Sequence, residues 1–242
     1  LCCPSPVLLV LVVLQLDLLI WPSLKPRWHS RWHHIKLLFL QLGLLGKLGY
    51  LESGKVKVMV VDTFHLFDST MPFLDSLEKK YNFKAEIFGP ADCEDKDVYL
   101  KKYGDKLWVA DVEQYDKICK VEPFQRGLKT LNTDVMINGR RRDHGAERAY
   151  IDIAEVAPIG GGLAKLNPLA YWTLEDCFDY AAANGVPLHP TVALGYPSQG
   201  DEKDVLAELL VRGIVRILQM RTKAHKGPLA LEDLPSEFKA LW

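Results

Sequence analysis

The sequence predicts an α/β protein built on an open, mostly parallel β-sheet with helices on both faces. Two observations favour this class: β-branched apolar runs alternate with segments of helical periodicity between residues 54 and 185, and turn-forming residues separate them. Ligands of such sheets bind beyond the carboxyl ends of the strands. Because the loops at 62–70 and 138–148 follow predicted strands, we expect the binding residues there.

Seven elements account for this alternation. Lys55–Asp62 is a nearly continuous β-branched run, as expected for a strand buried on both faces of a parallel sheet. The helix Thr173–Asn184 begins at a threonine N-cap, with Asp176 three residues later, and Gly185 ends it. The other predicted strands are Lys84–Phe88 and Asp134–Ile137, and the other predicted helices are Ser69–Tyr81, Asp97–Tyr103 and Pro123–Leu131.

Charge and cysteine content narrow the function classes. Thirty basic and 31 acidic residues give a formal net charge of −1, so we expect no polynucleotide partner, and a charged ligand must be bound by a local cluster. The five cysteines form no CxxC pair, which argues against a disulfide framework, a zinc site or a cysteine-bound cluster and favours a reducing compartment. They are Cys2, Cys3, Cys93, Cys119 and Cys177.

Residues 1–53 differ in composition from the rest, with 17 leucines and two acidic residues. Val7–Ile20 resembles a signal or anchor segment, and a basic run follows it. That apolar run is shorter than the ~18 residues of a span and contains Asp17, so a membrane anchor is not expected. We therefore divide the chain into an atypical leucine-rich segment (1–53), an α/β domain (54–204) and an atypical helical tail (205–242).

The loop after the third predicted strand is the strongest candidate for an anion site. Its glycine allows a tight turn and a close approach of the backbone to a ligand. Its guanidiniums present forked donors suited to phosphate or sulfate oxygens. A solvated basic turn is the alternative interpretation, and a lysine further on is a further candidate cation or a surface residue. These candidates are Gly139, Arg140, Arg141, Arg142, Arg148 and Lys165.

The loop after the first predicted strand contains Asp62, Thr63 and His65. Asp62 at a strand end can accept a hydrogen bond from a ribose hydroxyl or an amine, and Thr63 can cap a helix or bind phosphate. Alternatively, Asp62 and Thr63 only turn the chain, and His65 packs against it or caps a helix. Spacing alone favours this second interpretation.

Five segments, in order, resemble motifs of the phosphoadenylyl-sulfate (PAPS) reductase family. Tyr171 stands where that family has aspartate, and Asp68 and Ser69 stand where it has proline and glutamate. The resemblance implies a Rossmann-like fold of the adenine nucleotide alpha-hydrolase-like superfamily. The segments are VDTFHLFDST at 61–70, KVEPFQRGL at 120–128, NGRRRDHGAERA at 138–149, KLNPLAYWT at 165–173 and NGVPLHPTVALGYPSQGD at 184–201.

The resemblance also implies an activity and partners. In the family, a cysteine thiolate attacks the sulfur of PAPS, and reduced thioredoxin or glutaredoxin then releases sulfite. The candidate residues of the two loops and Lys165 would bind the substrate. Iron–sulfur relatives carry paired cysteines before the KVEP helix, whereas only Cys119 stands here. We therefore expect PAPS as substrate, no cluster or other bound cofactor, and a cytoplasmic (alternatively plastid) location, with a homodimer as one possible assembly.

Two family features are missing from the sequence. The first is the serine-rich phosphate loop and opening strand, where Gly43, Gly46 and Gly49 form a GxxGxxG pattern too weak to indicate a phosphate cradle. The second is the nucleophilic cysteine of an ECGxH motif, because no cysteine follows Cys177 and an amphipathic helix is predicted at Val205–Arg221.

These departures lead to a hypothesis and to alternatives. Reading-frame shifts or mis-joined exons at both ends would explain them, and translating the three nucleotide frames tests this. The chain is then expected to be poorly active, and to be marginally stable if the sheet lacks its central strand. The alternatives are a non-catalytic sulfonucleotide-binding module and an FAD-synthetase-like nucleotidyltransferase. The GRRRD loop and the GYPSQGD segment count against the nucleotidyltransferase.

Overall fold

A six-stranded sheet forms the centre of the computed structural model, which describes residues 9–13, 38–144, 146–156 and 162–193. The strand order is β3-β2-β1-β4-β6-β5, and every pairing is parallel except that of β5 with β6. This confirms the predicted fold class. The strands are Leu9–Val13 (β1), Val56–Val61 (β2), Ala85–Phe88 (β3), Val135–Ile137 (β4), Ala154–Glu155 (β5) and Ala164–Leu166 (β6).

Eight α-helices accompany these strands in the described residues. A π-helical turn, Lys117–Val121, precedes α6, and 3₁₀ turns span Arg142–His144 and Ala146–Tyr150. The helices are Leu38–Lys47 (α1), Thr70–Tyr81 (α2), Lys96–Tyr103 (α3), Leu107–Ala110 (α4), Val112–Asp116 (α5), Glu122–Thr130 (α6), Leu174–Asn184 (α7) and Pro190–Ala193 (α8).

Alternation along β2 explains why helices cover both faces of the sheet. Val58 and Val60 pack with α1 and α2 on one face, whereas Met59 packs with α6 residues on the other. A third cluster joins α7 to the outer side of α1 through Leu40 and Cys177. Two apolar layers therefore lie on the two sides of β2, and the cluster with α7 lies outside α1.

The seven elements predicted from sequence are all present, with ends within one residue of the prediction. The α7 cap is the clearest case: Thr173 Oγ1 accepts from the Asp176 amide at 3.1 Å, and Asp176 Oδ2 accepts from the Thr173 amide at 2.8 Å. Gly185 ends the helix in the left-handed region at φ 58°.

The expected loss of the opening strand is wrong. Leu9–Val13 is the central strand, parallel to β2 and β4, with Leu9 in register with Val56 and Val135. A run of apolar and β-branched residues suits a strand with neighbours on both sides. Marginal stability is expected only if the central strand is missing. That strand is present, so the reason for expecting marginal stability no longer holds.

The same strand bears on the membrane-anchor interpretation of Val7–Ile20. Its residues 9–13 belong to the sheet, and the rest of that segment lies outside the described residues. Within the described part of the chain, no helix combines the length and apolarity needed to cross a bilayer. The helix predicted at Val205–Arg221 also lies outside the described residues.

The glycines of α1 serve close helix packing. A Cβ on Gly43 would lie 2.7 Å from Val186 Cγ2, and one on Gly46 would lie 2.5 Å from Tyr81 Cδ1. Such separations are well inside van der Waals contact. The GxxG spacing at these two positions therefore lets α2 and the end of α7 approach α1.

Replacing Gly46 with alanine is expected to lower the free energy of unfolding by about 1–2 kcal/mol. Overpacking destabilises by about 1–3 kcal/mol, and the better helix propensity of alanine offsets up to about 1 kcal/mol of that loss. Urea denaturation measures the change. Leu48→Ala, at a position 62% exposed on the turn after α1, is the control and should be nearly neutral. If Tyr81→Leu fails to relieve the Gly46→Ala defect, the steric explanation is wrong.

Candidate sulfonucleotide site

The two predicted loops meet at the carboxyl edge of the sheet. Asp62 continues from β2 and its amide donates to Phe88 O at 3.0 Å, while the Asn138 amide, after β4, donates to Leu166 O at 2.7 Å. β1 lies between β2 and β4, so the order of strand connection reverses between these loops. This is the place where open α/β sheets bind ligands.

Gln41 of α1 reaches the same edge and was not identified from the sequence. Its Nε2 donates to Asn138 O at 2.6 Å, and both residues are buried. Gln41 Oε1, Asn138 Nδ2 and Asn167 Oδ1 are buried and have no hydrogen-bond partner among the described residues. The interior of this edge is thus polar, unlike the two apolar layers. A lone glutamine in the apolar run LLFLQLGLL was the available signal.

Hydrogen bonds within the loop after β2 shape its turn. Asp62 Oδ1 accepts from the Phe64 amide at 2.8 Å, and Thr63 Oγ1 accepts from the His65 amide at 3.3 Å. Phe64 adopts a positive φ of 61°, which these short-range bonds help to hold. The His65 ring lies edge-on to Tyr99 and Tyr115 at 5.4 and 5.5 Å between centroids. These contacts are the chain turn and the ring packing that the second interpretation of this loop predicts.

The KVEP helix fixes the neighbouring strand end. Arg126 of α6 donates to Gly89 O, directly after β3, and pairs with Glu122 at 2.8 Å one turn earlier. Its guanidinium also lies 5.6 Å from the centre of the Phe88 ring. Arg126 therefore holds α6 against the carboxyl edge of the sheet, a role that the motif alone did not reveal.

Two of the three consecutive arginines hold the loop after β4 in place. Arg141 is completely buried and forms a two-pronged ion pair with Asp143, at 2.9 Å from Nε and 3.1 Å from Nη2. Arg142 donates to Ile151 O at 2.7 Å and Asp152 Oδ1 at 3.0 Å. Its guanidinium lies 4.1 Å from the centre of the Tyr171 ring. The predicted guanidinium cluster is thus largely engaged in internal contacts.

The other two candidate arginines of this loop are Arg140 and Arg148. Arg140 is half-buried, after Gly139, and forms no hydrogen bond, ion pair or ring contact within the described ranges. Arg148 lies in the following 3₁₀ turn, where burial lowers the pKa of its guanidinium. Arg140 therefore remains as a cation beside the strand end once Arg141 and Arg142 are assigned to internal contacts.

Lys165 is placed differently from the other candidates. It lies in the middle of β6, in register with Met136 of β4 and Glu155 of β5, and is half-buried. In-register parallel partners point to the same face, so Lys165 lies on the face that α6 covers. Its role in substrate binding stays a prediction.

The cysteines of the described ranges are buried and poorly suited to attack. Burial, partly offset by Arg141, raises the pKa of the Cys177 thiol to about 11, and burial likewise raises the pKa of Cys93. Cys119 is fully buried among Tyr99 and Tyr115. Since the thiolate is the nucleophile, neither Cys93 nor Cys177 is activated for sulfonyl transfer.

Slow labelling of Cys93, Cys119 and Cys177 by a maleimide reagent is therefore expected in the native protein at pH 7.5, and fast labelling in urea. Mass spectrometry of tryptic peptides assigns the label to each cysteine. Free N-acetylcysteine, reacted in parallel, gives the rate of an unprotected thiol. Labelling of Cys177 at that rate in the native state would contradict its burial against Arg141.

Comparisons with known proteins identify the family and agree with the fold. The phosphoadenosine phosphosulfate reductase domain matches residues 41–207. The phosphoadenosine phosphosulfate reductase of Emericella nidulans is 36% identical over 161 residues (66% of this chain and 52% of that one), and that of Saccharomyces cerevisiae is 37% identical over 149 residues (60% and 57%). The chain thus spans about half the length of these curated relatives.

A solved structure also matches the fold of this chain. The PAPS reductase of Candida auris, crystallised as a phosphate complex, superposes with a TM-score of 0.60 at 28% identity, over 71% of this chain and 79% of that one. The family match begins at Gln41, within α1 and before the domain boundary predicted at residue 54. This chain belongs to the phosphoadenosine phosphosulfate reductase domain family.

Proposed function

We propose that the carboxyl edge of the sheet binds 3′-phosphoadenylyl sulfate, as in thioredoxin-dependent reduction of PAPS to sulfite and adenosine 3′,5′-bisphosphate. The observation that carries the proposal is Arg140, a guanidinium without an internal partner in the described residues, on a loop whose position Arg141 and Arg142 fix. Family membership supports the same nucleotide class.

A fixed loop makes anion binding more favourable. Asp143 and Asp152 neutralise Arg141 and Arg142, so Arg140 is the guanidinium of the three-arginine run that stays available to an anion. A guanidinium offers two parallel N–H donors to phosphate or sulfate oxygens. Because internal contacts already hold Arg141 and Arg142, binding does not require ordering that part of the loop, which lowers the entropic cost.

The proposed reaction needs a thiolate from the protein. The thiolate sulfur forms a bond to the sulfur of PAPS as the bond between that sulfur and the phosphate oxygen breaks, so adenosine 3′,5′-bisphosphate leaves with the electron pair. Reduced thioredoxin or glutaredoxin then attacks the protein S-sulfonate. Sulfite leaves, the protein thiol is restored and the dithiol partner is oxidised to a disulfide. Cations beside the phosphosulfate stabilise the charge that develops on the leaving group.

The buried cysteines favour a second candidate, a sulfonucleotide-binding module that does not turn the substrate over. Cys93 and Cys177 are buried thiols with raised pKa values, and the sequence contains no cysteine after Cys177. We therefore propose that this chain on its own binds the nucleotide and forms little or no sulfite.

Isothermal titration with adenosine 3′,5′-bisphosphate tests the binding half of the proposal. We expect saturable binding that weakens as salt concentration rises, because guanidinium–phosphate contacts dominate. Adenosine is the matched control ligand and should bind much more weakly. Equal affinity for adenosine and its bisphosphate would show that the arginine loop does not bind phosphate in this chain.

A further inference from the structure

His189 has no assigned role in the proposed chemistry, yet it is one of the largest fully buried side chains, with 1% of its surface exposed. Its Nε2 lies 3.2 Å from Thr70 Oγ1, and its Nδ1 accepts from the Thr191 amide at 3.2 Å and lies 2.6 Å from Thr191 Oγ1. A backbone N–H can only donate, so Nδ1 is the acceptor and Nε2 carries the proton towards Thr70.

These contacts join two segments that are far apart in sequence. Thr70 begins α2 directly after the loop that contains Asp62 and Thr63, and His189 directly precedes α8. The segment 184–201 is also one of the five that resemble family motifs. His189 thus links the loop at the sheet edge to the start of a second motif-bearing segment.

Three aromatic side chains pack around the imidazole of His189. Phe39 of α1, Phe67 of the preceding loop and Phe73 of α2 lie 6.0, 6.5 and 5.2 Å from it, between ring centroids. Asp68 and Asp75, the carboxylates nearest in sequence to these aromatic residues, are exposed, and the buried carboxylate Glu78 is paired with Lys84. Burial is the cause that lowers the pKa of His189, and no carboxylate among the described residues opposes it.

We propose that His189, in its neutral form, is a positioning residue that clamps residues 186–193 onto the start of α2 and thereby holds the adjoining loop of the nucleotide site. Protonation would place a charge in an apolar enclosure and would remove the acceptor that Nδ1 offers to the Thr191 amide. The clamped segment is then expected to detach at acid pH. The link to nucleotide affinity rests on the proposed function.

The pH range follows from the direction of the shift. Burial lowers the pKa of His189 to about 4, whereas an exposed histidine in the detached segment titrates near 6.5. The clamp is therefore complete above pH 6.5 and is weakened as the pH falls from 6.5 to 4. Between pH 7.5 and pH 5, the population with a detached segment should rise by about 30-fold.

Hydrogen–deuterium exchange of the peptide covering residues 186–193, corrected for intrinsic exchange rates, tests the clamp in the full chain without any ligand. In the wild type, exchange of this peptide should rise between pH 7.5 and 5 by the same factor as the detached population, while peptides from β2 and β4 stay protected. His189→Gln keeps hydrogen-bonding atoms but cannot titrate, so its corrected exchange should be the same at both pH values.

Three results would overturn the proposal: no pH-dependent opening in the wild type, the same opening in His189→Gln, or an equal rise in β2 and β4. A separate titration with adenosine 3′,5′-bisphosphate at both pH values tests the link to the site. The ratio of the two dissociation constants should be larger for the wild type than for His189→Gln, in which only the titration of the ligand remains. Failure of either chain to bind would refute the proposed function, and the exchange result would still decide the clamp.

Discussion

Arg141→Ala is expected to lower the free energy of unfolding by about 3–5 kcal/mol, the range for removing one partner of a buried ion pair. The substitution leaves Asp143 without its two-pronged partner and removes a completely buried side chain that also hydrogen-bonds Cys177. Urea denaturation at pH 7.5, fitted to a two-state transition, measures the loss.

A double variant separates the charge from the packing. Arg141→Met with Asp143→Leu removes both charges, so it should be less destabilised than Arg141→Ala, because no unpaired charge remains. Arg140→Ala, one residue away and without a described internal partner, is the matched control and should change stability by less than about 0.5 kcal/mol. If Arg141→Ala were as stable as Arg140→Ala, the scaffold role of Arg141 would be wrong.

Arg140→Ala is expected to weaken binding of adenosine 3′,5′-bisphosphate by about 10–100-fold, because hydrogen bonds to charged groups contribute about 1.5–3 kcal/mol each. Arg140→Lys should recover part of the affinity, since it keeps the charge and loses the forked geometry. Isothermal titration measures the dissociation constants. The circular dichroism spectrum should not change, because Arg140 makes no described internal contact.

The matched control for this charge is Lys55→Ala. Lys55 is an exposed cation directly before β2, at the amino edge of the sheet and therefore opposite the proposed site. Its removal should leave the affinity within about twofold, because solvent screens charges at such distances. Equal losses for Lys55→Ala and Arg140→Ala would indicate only a general electrostatic attraction.

Much of the fold could be predicted because its pattern is local. The β-branched run of β2 and the threonine cap and final glycine of α7 identify each element without knowledge of its neighbours. The central strand β1 could not be predicted in the same way. Its residues 9–13 are apolar on both faces, which fits an anchor or a buried strand equally, and its partners begin at Val56 and Val135, far along the chain. The strands β5 and β6, of two and three residues, are too short to show a period.

The sequence predicts where the site lies but not which role each of its residues has. Three adjacent arginines look equivalent in sequence, whereas burial and partners distinguish them in the structure. Asp143, two residues after Arg141, was a local signal for an internal ion pair. The Arg142–Tyr171 contact joins residues 29 positions apart, so no local pattern indicates it. In the sequence, Tyr171 is marked only by its departure from the family motif.

The proposal that this chain on its own binds the sulfonucleotide and forms little or no sulfite has a direct test. Equilibrium dialysis with PAPS labelled at sulfur, in the presence of reduced thioredoxin, measures both bound substrate and released sulfite. We expect label to be retained as intact PAPS on the protein and to be displaced by excess adenosine 3′,5′-bisphosphate, with no sulfite above the protein-free background. Catalytic release of labelled sulfite, or no retained label at all, would contradict it.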